Sequence, residues 1–255
     1  PTLLTLHGSG SSSLIHTIQL ARLTRLLKPY FTLTSLNAPF ATPAGPGVLP
    51  FFEGCGPYAS WLPPTHATIS ASQMRTGTSA NVLAPEVEKL VRDAVDEVRG
   101  KGGKVVGLVG FSQGSRVLAG LLKAKEIKDT LRDSFSYLRD IDFALVVCGS
   151  FPPPLLPSSL IPYLDTPSSL SSANAATPGT GVPPTSPIYE TKIQTPTLHV
   201  QGKLDEWEWA GQMMITRCYD AERSEVLKLD IGHHYPVKPE DSQKVVAWVL
   251  RVWEG

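Results

Sequence analysis

The stretch KVVGLVGFSQGSRVLAGLLKAK, residues 104–125, decides the fold. Its first half, Val105 to Val109, is a short apolar run of the kind that forms a buried strand, and its second half, from Gln113 onward, reads as a helix. Between them stand Gly110, Phe111, Ser112, Gln113 and Gly114, a GxSxG pattern. Alone, that pattern is a serine in a glycine-rich bend. Between a strand and a helix it marks a sharp turn that lifts a serine hydroxyl above the edge of a parallel sheet. Glycines at 110 and 114 remove side chains where strand and helix pass closely, and Ser112 takes the strained backbone between them.

Working outward, TLLTLHG at residues 2–8 is a short buried-strand candidate that breaks at Gly8. Residues 14–28 follow as a helix with an apolar face on Leu14, Ile18 and Leu26, and serines 11–13 offer N-caps. YFTLTSLNAPF, residues 30–40, is a second strand, after which a Pro- and Gly-rich loop runs to about residue 83. That loop is too long to be idle connection in a compact domain. Residues 86–99 form the cleanest helix, with Val87, Leu90, Val91, Ala94, Val95 and Val98 on one stripe, Pro85 at its start and Gly100 past its end. Strands at DFALVVCGS (142–150), PTLHVQG (196–202) and SEVLKLD (224–230) come next. A helix near 209–221 and a last one at about 239–254, carrying Val245, Val246, Trp248 and Val249, complete the series.

Strands alternating with helices predict the α/β class: one domain over residues 1–255, built on a parallel sheet wrapped on both faces, with reactive groups at the carboxyl ends of its strands. Residues 151–190 stand apart. Ten prolines and seven serines, with Asp165 and Glu190 the only charges, predict a surface insertion or a lid over the active site.

Composition narrows the partners. Lys+Arg 23 balances Asp+Glu 23, so no charge footprint points to nucleic acid or an anionic membrane, and a small or neutral molecule is the expected partner. Cys55, Cys148 and Cys218 are far apart, without metal-ligand spacing, which fits a reducing, cytoplasmic setting and predicts neither metal nor other cofactor. No run approaches the roughly 20 apolar residues needed to cross a bilayer.

A serine hydroxyl is a weak nucleophile and needs a histidine whose other ring nitrogen is held by a carboxylate. Asp205 lies just beyond the strand at 196–202, where its carboxylate emerges at the same sheet edge as Ser112. Glu206 is its neighbour, Asp165 sits in the insertion, and Asp230 precedes the candidate histidine by only three residues. The alternative for Asp205 is a turn or helix-capping role. In DIGHHYP, two adjacent histidines cannot both face Ser112. Gly232 favours His233 as the base, leaving His234 to pack or touch substrate, while His16, His66 and His199 read as structural. The oxyanion needs donors, and the expected pair is the backbone N–H of Gln113 and that of Ser9 in the LHGSG loop, which His7 and Gly8 shape. Phe51, Phe52, Tyr58, Trp61, Phe151, Leu155, Leu156, Tyr163 and Trp207 are candidates for an apolar substrate wall.

With LHGSG at the start, LNAPF, GFSQG, PTLHVQG followed by Asp205, and GHHYP in order, the chain resembles the α/β-hydrolase superfamily and, more narrowly, the fungal family of serine hydrolases, FSH. The resemblance implies a Ser112, Asp205, His233 triad on an α/β-hydrolase fold. It also implies esterase or thioesterase activity through an acyl-enzyme on a small-molecule acyl substrate, as in members that release polyketide chains from carrier domains of a polyketide synthase in secondary-metabolite biosynthesis. A general small-ester carboxylesterase is the closest alternative, and a hydrolase-fold binding protein without turnover is one of another class. Two departures stand out: Asn37 replaces the acid of the family's DAPF-like stretch, and residues 151–190 match poorly.

Overall fold

On one strand, residues 143–147, Phe143, Leu145 and Val147 join one apolar layer and Ala144 and Val146 another, and every one of these side chains is buried. A strand covered on both faces belongs inside a parallel sheet flanked by helices. That is the architecture in the computed structural model of the protein, which describes residues 1–66, 69–127, 134–160 and 191–255.

The chain opens with strand β1 (Thr2–Leu6), helices α1 (Ser13–Gln19) and α2 (Ala21–Leu27), and strand β2 (Thr32–Leu36). The short strands β3 (Phe40–Thr42) and β4 (Tyr58–Ser60), helix α3 (Ala71–Thr76), strand β5 (Val82–Leu83) and helix α4 (Pro85–Gly100) follow. Next come β6 (Val105–Phe111), α5 (Gly114–Glu126), β7 (Phe143–Val147) and β8 (Leu156–Pro157). Last are β9 (Thr197–Gly202), helix α6 (Glu208–Cys218), β10 (Ser224–Leu229) and helix α7 (Pro239–Glu254).

Six strands form one sheet in the order β10-β9-β7-β6-β1-β2, every pairing parallel. Leu23, Leu27, Val245, Trp248 and Val249 cover one face. Val87, Val91, Val117, Leu118 and Leu121 cover the other. From β1 the chain steps outward to β2, then returns to lay β6 on the other side of β1. The strand order therefore reverses between β1 and β6, and at such a point the loops beyond the carboxyl ends diverge and leave a crevice. The fold is that of an α/β hydrolase, and no helix among the described residues is long and apolar enough to cross a membrane.

Three expectations change. The helix expected over 14–28 is two helices, broken at Leu20, and its buried residues are Ile15, His16, Leu23 and Leu27. Leu14 and Ile18 face solvent, because His16 turns inward to polar partners on β1, β2 and the 231–236 loop. The loop expected to run to residue 83 carries structure of its own: β3 and β4 pair antiparallel, and α3 starts on a capping box between Ser70 and Gln73. The surface insertion expected at 151–190 does not begin at 151: Phe151, Leu155, Leu156 and Leu160 are buried and β8 pairs with β5, while the residues from 161 on, Tyr163 and Asp165 included, fall outside the described residues.

Phe143 is fully buried, with its ring edge-on to Phe31 and Trp248. Phe143→Ala should therefore lower the unfolding free energy by about 3–5 kcal/mol in urea titration. A loss below about 1 kcal/mol would mean that this layer is not packed around it.

Candidate active site

At the end of β6 the chain turns through Ser112, whose φ of 48° lies in the left-handed region that non-glycine residues avoid. The turn is held from several sides. Ser112 N–H donates to Val147 O (3.2 Å), while Ser112 O accepts the Ser115 N–H (3.0 Å) and the Ser115 hydroxyl (2.6 Å). Ser115 Oγ in turn accepts the Ser150 N–H at 2.9 Å, tying the turn to the segment after β7. The flanking glycines serve close approach: a Cβ on Gly114 would stand 2.3 Å from Leu6 O and 2.7 Å from His7 O, and one on Gly110 would stand 3.0 Å from Ser115 Cα.

Helix α5 begins at once, with Gln113 as its N-cap. The first N–H groups of a helix lack intrahelical partners. Among the described backbone hydrogen bonds, neither the Gln113 nor the Ser9 N–H donates to another backbone group. Both residues line the same cavity as Ser112.

The loop that carries Ser9 is fixed by neutral polar contacts. His7 is fully buried, its Nδ1–H donates to Gly8 O (2.7 Å), and its Nε2 accepts the Ala38 N–H (3.0 Å). Burial holds its pKa down to about 4, against the pull of the Gly8 contact, so the ring is neutral at pH 7. Trp61 Nε1–H donates to His7 O (2.7 Å). Gln113 Oε1 accepts the Trp61 N–H (3.0 Å) and the Ser60 hydroxyl (3.1 Å). The side chain of Gln113 thus links the α5 N-terminus to the segment supporting the glycine loop, a function its sequence position did not reveal.

Beyond β9, Asp205 divides its carboxylate. Oδ1 accepts the Trp207 N–H (2.9 Å) at the start of α6, and Oδ2 accepts the Nδ1–H of His233 (2.8 Å). The turn role and the histidine-holding role coexist, one oxygen each, and the N-cap of α6 is Trp207. Burial pushes the Asp205 carboxyl up, but hydrogen bonds from His233, the Trp207 amide and Cys148 outweigh it and leave it below the usual carboxylate range. The contact fixes His233 with Nε2 free to take a proton. His234 turns away: its Nδ1–H donates to Tyr235 O (2.8 Å) and its Nε2 accepts the Gly232 N–H (3.2 Å). Asp230 is exposed and pairs with Lys203.

The cavity is about 270 Å³ and takes in Ser9, Ser112, Gln113 and His233. Val48, Ile69, Met74, Phe151 and Trp207 give it an apolar wall. Phe151 is backed by buried Arg116, whose guanidinium lies 4.7 Å from the ring and donates from Nε to Pro153 O (2.9 Å). Other aromatic candidates lie elsewhere. Phe51 is 86% exposed, Tyr58 donates its hydroxyl to Phe52 O, and Trp61 is buried beneath the glycine loop. Leu155 and Leu156 belong to the core. Ile69 and Met74, which the sequence reading did not single out, reach the cavity because the segment around α3 is ordered over it. Asn37 accepts the Ser13 N–H with Oδ1 (2.9 Å), so the residue that departs from the family pattern caps α1 outside the cavity.

Among the described residues, Cys148, Asp205 and His233 are the one group with three possible metal-ligand atoms close together. Their donor set is already engaged internally, since both Asp205 oxygens accept hydrogen bonds and burial pushes the Cys148 thiol pKa up, keeping it protonated.

Comparison with known proteins adds the family. The model for "Serine hydrolase (FSH1)" matches residues 1–245, and the chain belongs to that family of serine hydrolases. It is 29% identical to the thioesterase FSL2 of Gibberella zeae, across 100% of this chain and 93% of that one. It is also 29% identical to the esterase FUS5 of Gibberella fujikuroi (96% and 84%) and to an Aspergillus terreus protein named dihydromonacolin L-[lovastatin nonaketide synthase] thioesterase (96% and 89%). Among solved structures it superposes on Arabidopsis thaliana SOBER1 with a TM-score of 0.52 at 18% identity (99% and 98% covered). Zea mays acyl-protein thioesterase 2 gives 0.50 at 16% (98% and 93%), and both share the fold. The chain is a hydrolytic enzyme.

Two outcomes follow from this geometry. His233→Ala should cut turnover at least about a thousandfold, and His234→Ala less than about tenfold, in steady-state assays; the reverse order would move the base to His234. The second concerns acid stability. Burial holds His7 at about 4 and His16 and His199 at about 3, so between pH 6.5 and 4 the unfolded chain binds protons that the folded chain does not. Stability is therefore full above pH 6.5 and falls as the pH drops, by about 1 kcal/mol per pH unit for each ring. Urea titrations at pH 7.5 and 5.0 measure this, and equal midpoints would contradict it.

Proposed function

We propose that the enzyme cleaves an acyl ester or thioester through an acyl-enzyme on Ser112, with His233 as general base and acid and Asp205 as its orienting carboxylate. The observation that carries this reading is the convergence on one cavity of a strained serine, an Asp–His pair and two residues, Ser9 and Gln113, whose N–H groups donate to no backbone group among the described hydrogen bonds. Ser112 Oγ attacks the carbonyl carbon as His233 Nε2 takes its proton, and the oxyanion is met by the N–H groups of Ser9 and Gln113. The tetrahedral species collapses, the C–S or C–O bond breaks, and His233 gives its proton to the leaving thiolate or alkoxide. Water then attacks the Ser112 ester, its proton passes to His233 and on to Ser112 Oγ, and the carboxylic acid departs. Asp205 stays ionised throughout, stabilising the imidazolium that forms twice.

The apolar wall of Val48, Ile69, Met74, Phe151 and Trp207 suits an acyl chain. The names of the fungal relatives support a polyketide acyl group in a secondary-metabolite pathway, delivered by a carrier domain of a polyketide synthase. The setting of the reading is cytoplasmic, in line with three unpaired cysteines, and the chain is read as a single domain. A second reading, a carboxylesterase of small esters, is favoured by the cavity volume of about 270 Å³, at the small end for ligand sites. Matched acyl-thioesters and oxygen esters separate the two by kcat/KM.

A fluorophosphonate probe tests the nucleophile. The native protein should label and Ser112→Ala should not, and labelling of that variant at the native rate would refute the assignment.

A further inference from the structure

Among the described residues, two non-glycine side chains sit on backbone with a positive φ: Ser112 at 48° and Cys148 at 46°. They follow the ends of adjacent strands, β6 and β7. Such strain costs on the order of 1–3 kcal/mol, persists only where the surroundings enforce it, and clusters at functional sites. Ser112 has its explanation in the reaction. Cys148 has none in the reaction as drawn.

Its surroundings are specific. Cys148 is 2% exposed, and its N–H donates to Val200 O on β9 (2.9 Å), the strand that leads into Asp205. Its Sγ lies 3.6 Å from Gly232 O and 3.7 Å from His234 O, the carbonyls on either side of His233. The sulfur, an Asp205 carboxylate oxygen and a His233 ring nitrogen all stand within 4.8 Å of one another. Three acceptors, two carbonyls and a carboxylate, thus converge on one atom. A group that carries a proton is favoured there on balance: burial and the Asp205 carboxylate oppose a thiolate and outweigh the backbone hydrogen bonds of His234 and Gly202, which favour one. Burial first, and then the Asp205 charge, push the thiol pKa up, which keeps that proton in place.

We propose that Cys148 is a positioning residue: its thiol, held by the strained end of β7, has one proton shared among the Asp205 carboxylate and the two carbonyls flanking His233, and so keeps these acceptors together beside the Asp–His pair. It acts through the Asp–His pair and touches no reacting atom, and the inference rests on the triad assigned above. A donor at this point holds Asp205 in the rotamer that presents Oδ2 to His233, and it holds the 232–234 turn that aims the ring at Ser112. What the site requires is a donor of small size. A hydroxyl meets that requirement, whereas a methyl group fills much of the space and leaves the three acceptors facing each other.

The test compares Cys148→Ala and Cys148→Ser with the native chain on p-nitrophenyl butyrate, alongside Ser112→Ala, with circular dichroism and thermal melts on each. The alanine variant should lose about tenfold in kcat with KM changed less than twofold, the size expected for one hydrogen bond made to an ionised group. The serine variant should stay within about threefold of native. Should alanine not fold, Cys148→Gly, which accepts the positive φ and supplies no donor, should show the same loss. Native turnover in the donor-free variant, or equal losses in the serine and donor-free variants, would overturn the proposal, the second outcome assigning the effect to packing. Failure of the triad reading shows separately, as native turnover in Ser112→Ala.

Discussion

The contact on which the site depends is backbone on backbone: Gly114, at the start of α5, lies against the carbonyls of Leu6 and His7 at the end of β1. No side chain fits between them. Because β1 and β6 are neighbours where the strand order reverses, this approach sets the loop after β1 beside the turn after β6. Ser9 and Gln113 then line one cavity, although 103 residues lie between them in the sequence. The backbone donors proposed for the oxyanion are worth most where water is excluded, because preorganised donors need not reorganise as charge develops on the substrate oxygen.

Neutral polar contacts hold the rest. His7 is kept uncharged by burial and spends both ring nitrogens on backbone groups, joining the glycine loop to Ala38. Trp61 and the Gln113 side chain close the circuit from β4 back to α5. On the other side of the cavity, Tyr235 stacks on Phe111, its hydroxyl meets His16, and Phe111 also packs on the His233 ring. A charged network in these places would carry a large desolvation cost, whereas satisfied neutral groups rigidify the site without one.

Much of this was legible in the residues. GFSQG between a strand and a helix announced the turn, and the placement of Asp205 and His233 after later strands put them at the same sheet edge, because a parallel sheet sends all its carboxyl ends one way. Less legible were features that depend on which surfaces meet. Leu14 and Ile18 have helical spacing yet face solvent, since the polar His16 finds three partners inside and periodicity counts only apolar residues. Trp61 reads as a substrate contact by composition but supports His7 from behind. Cys148 carries no pattern at all: its significance lies in a positive φ and three converging acceptors, neither of which a lone cysteine announces. The α3 segment was hidden by its glycines and prolines, though Ser70 and Gln73 spell a capping box.

The account makes Ser112 a covalent participant, and the most direct measurement is intact mass spectrometry after brief mixing with a series of acyl-thioesters. It predicts a transient mass increase equal to the acyl group, mapped to Ser112, that grows when His233 or Asp205 variants slow deacylation more than acylation and is absent from Ser112→Ala. Thioester cleavage at the native rate with no acyl adduct at any time, or with the adduct on another residue, would contradict it.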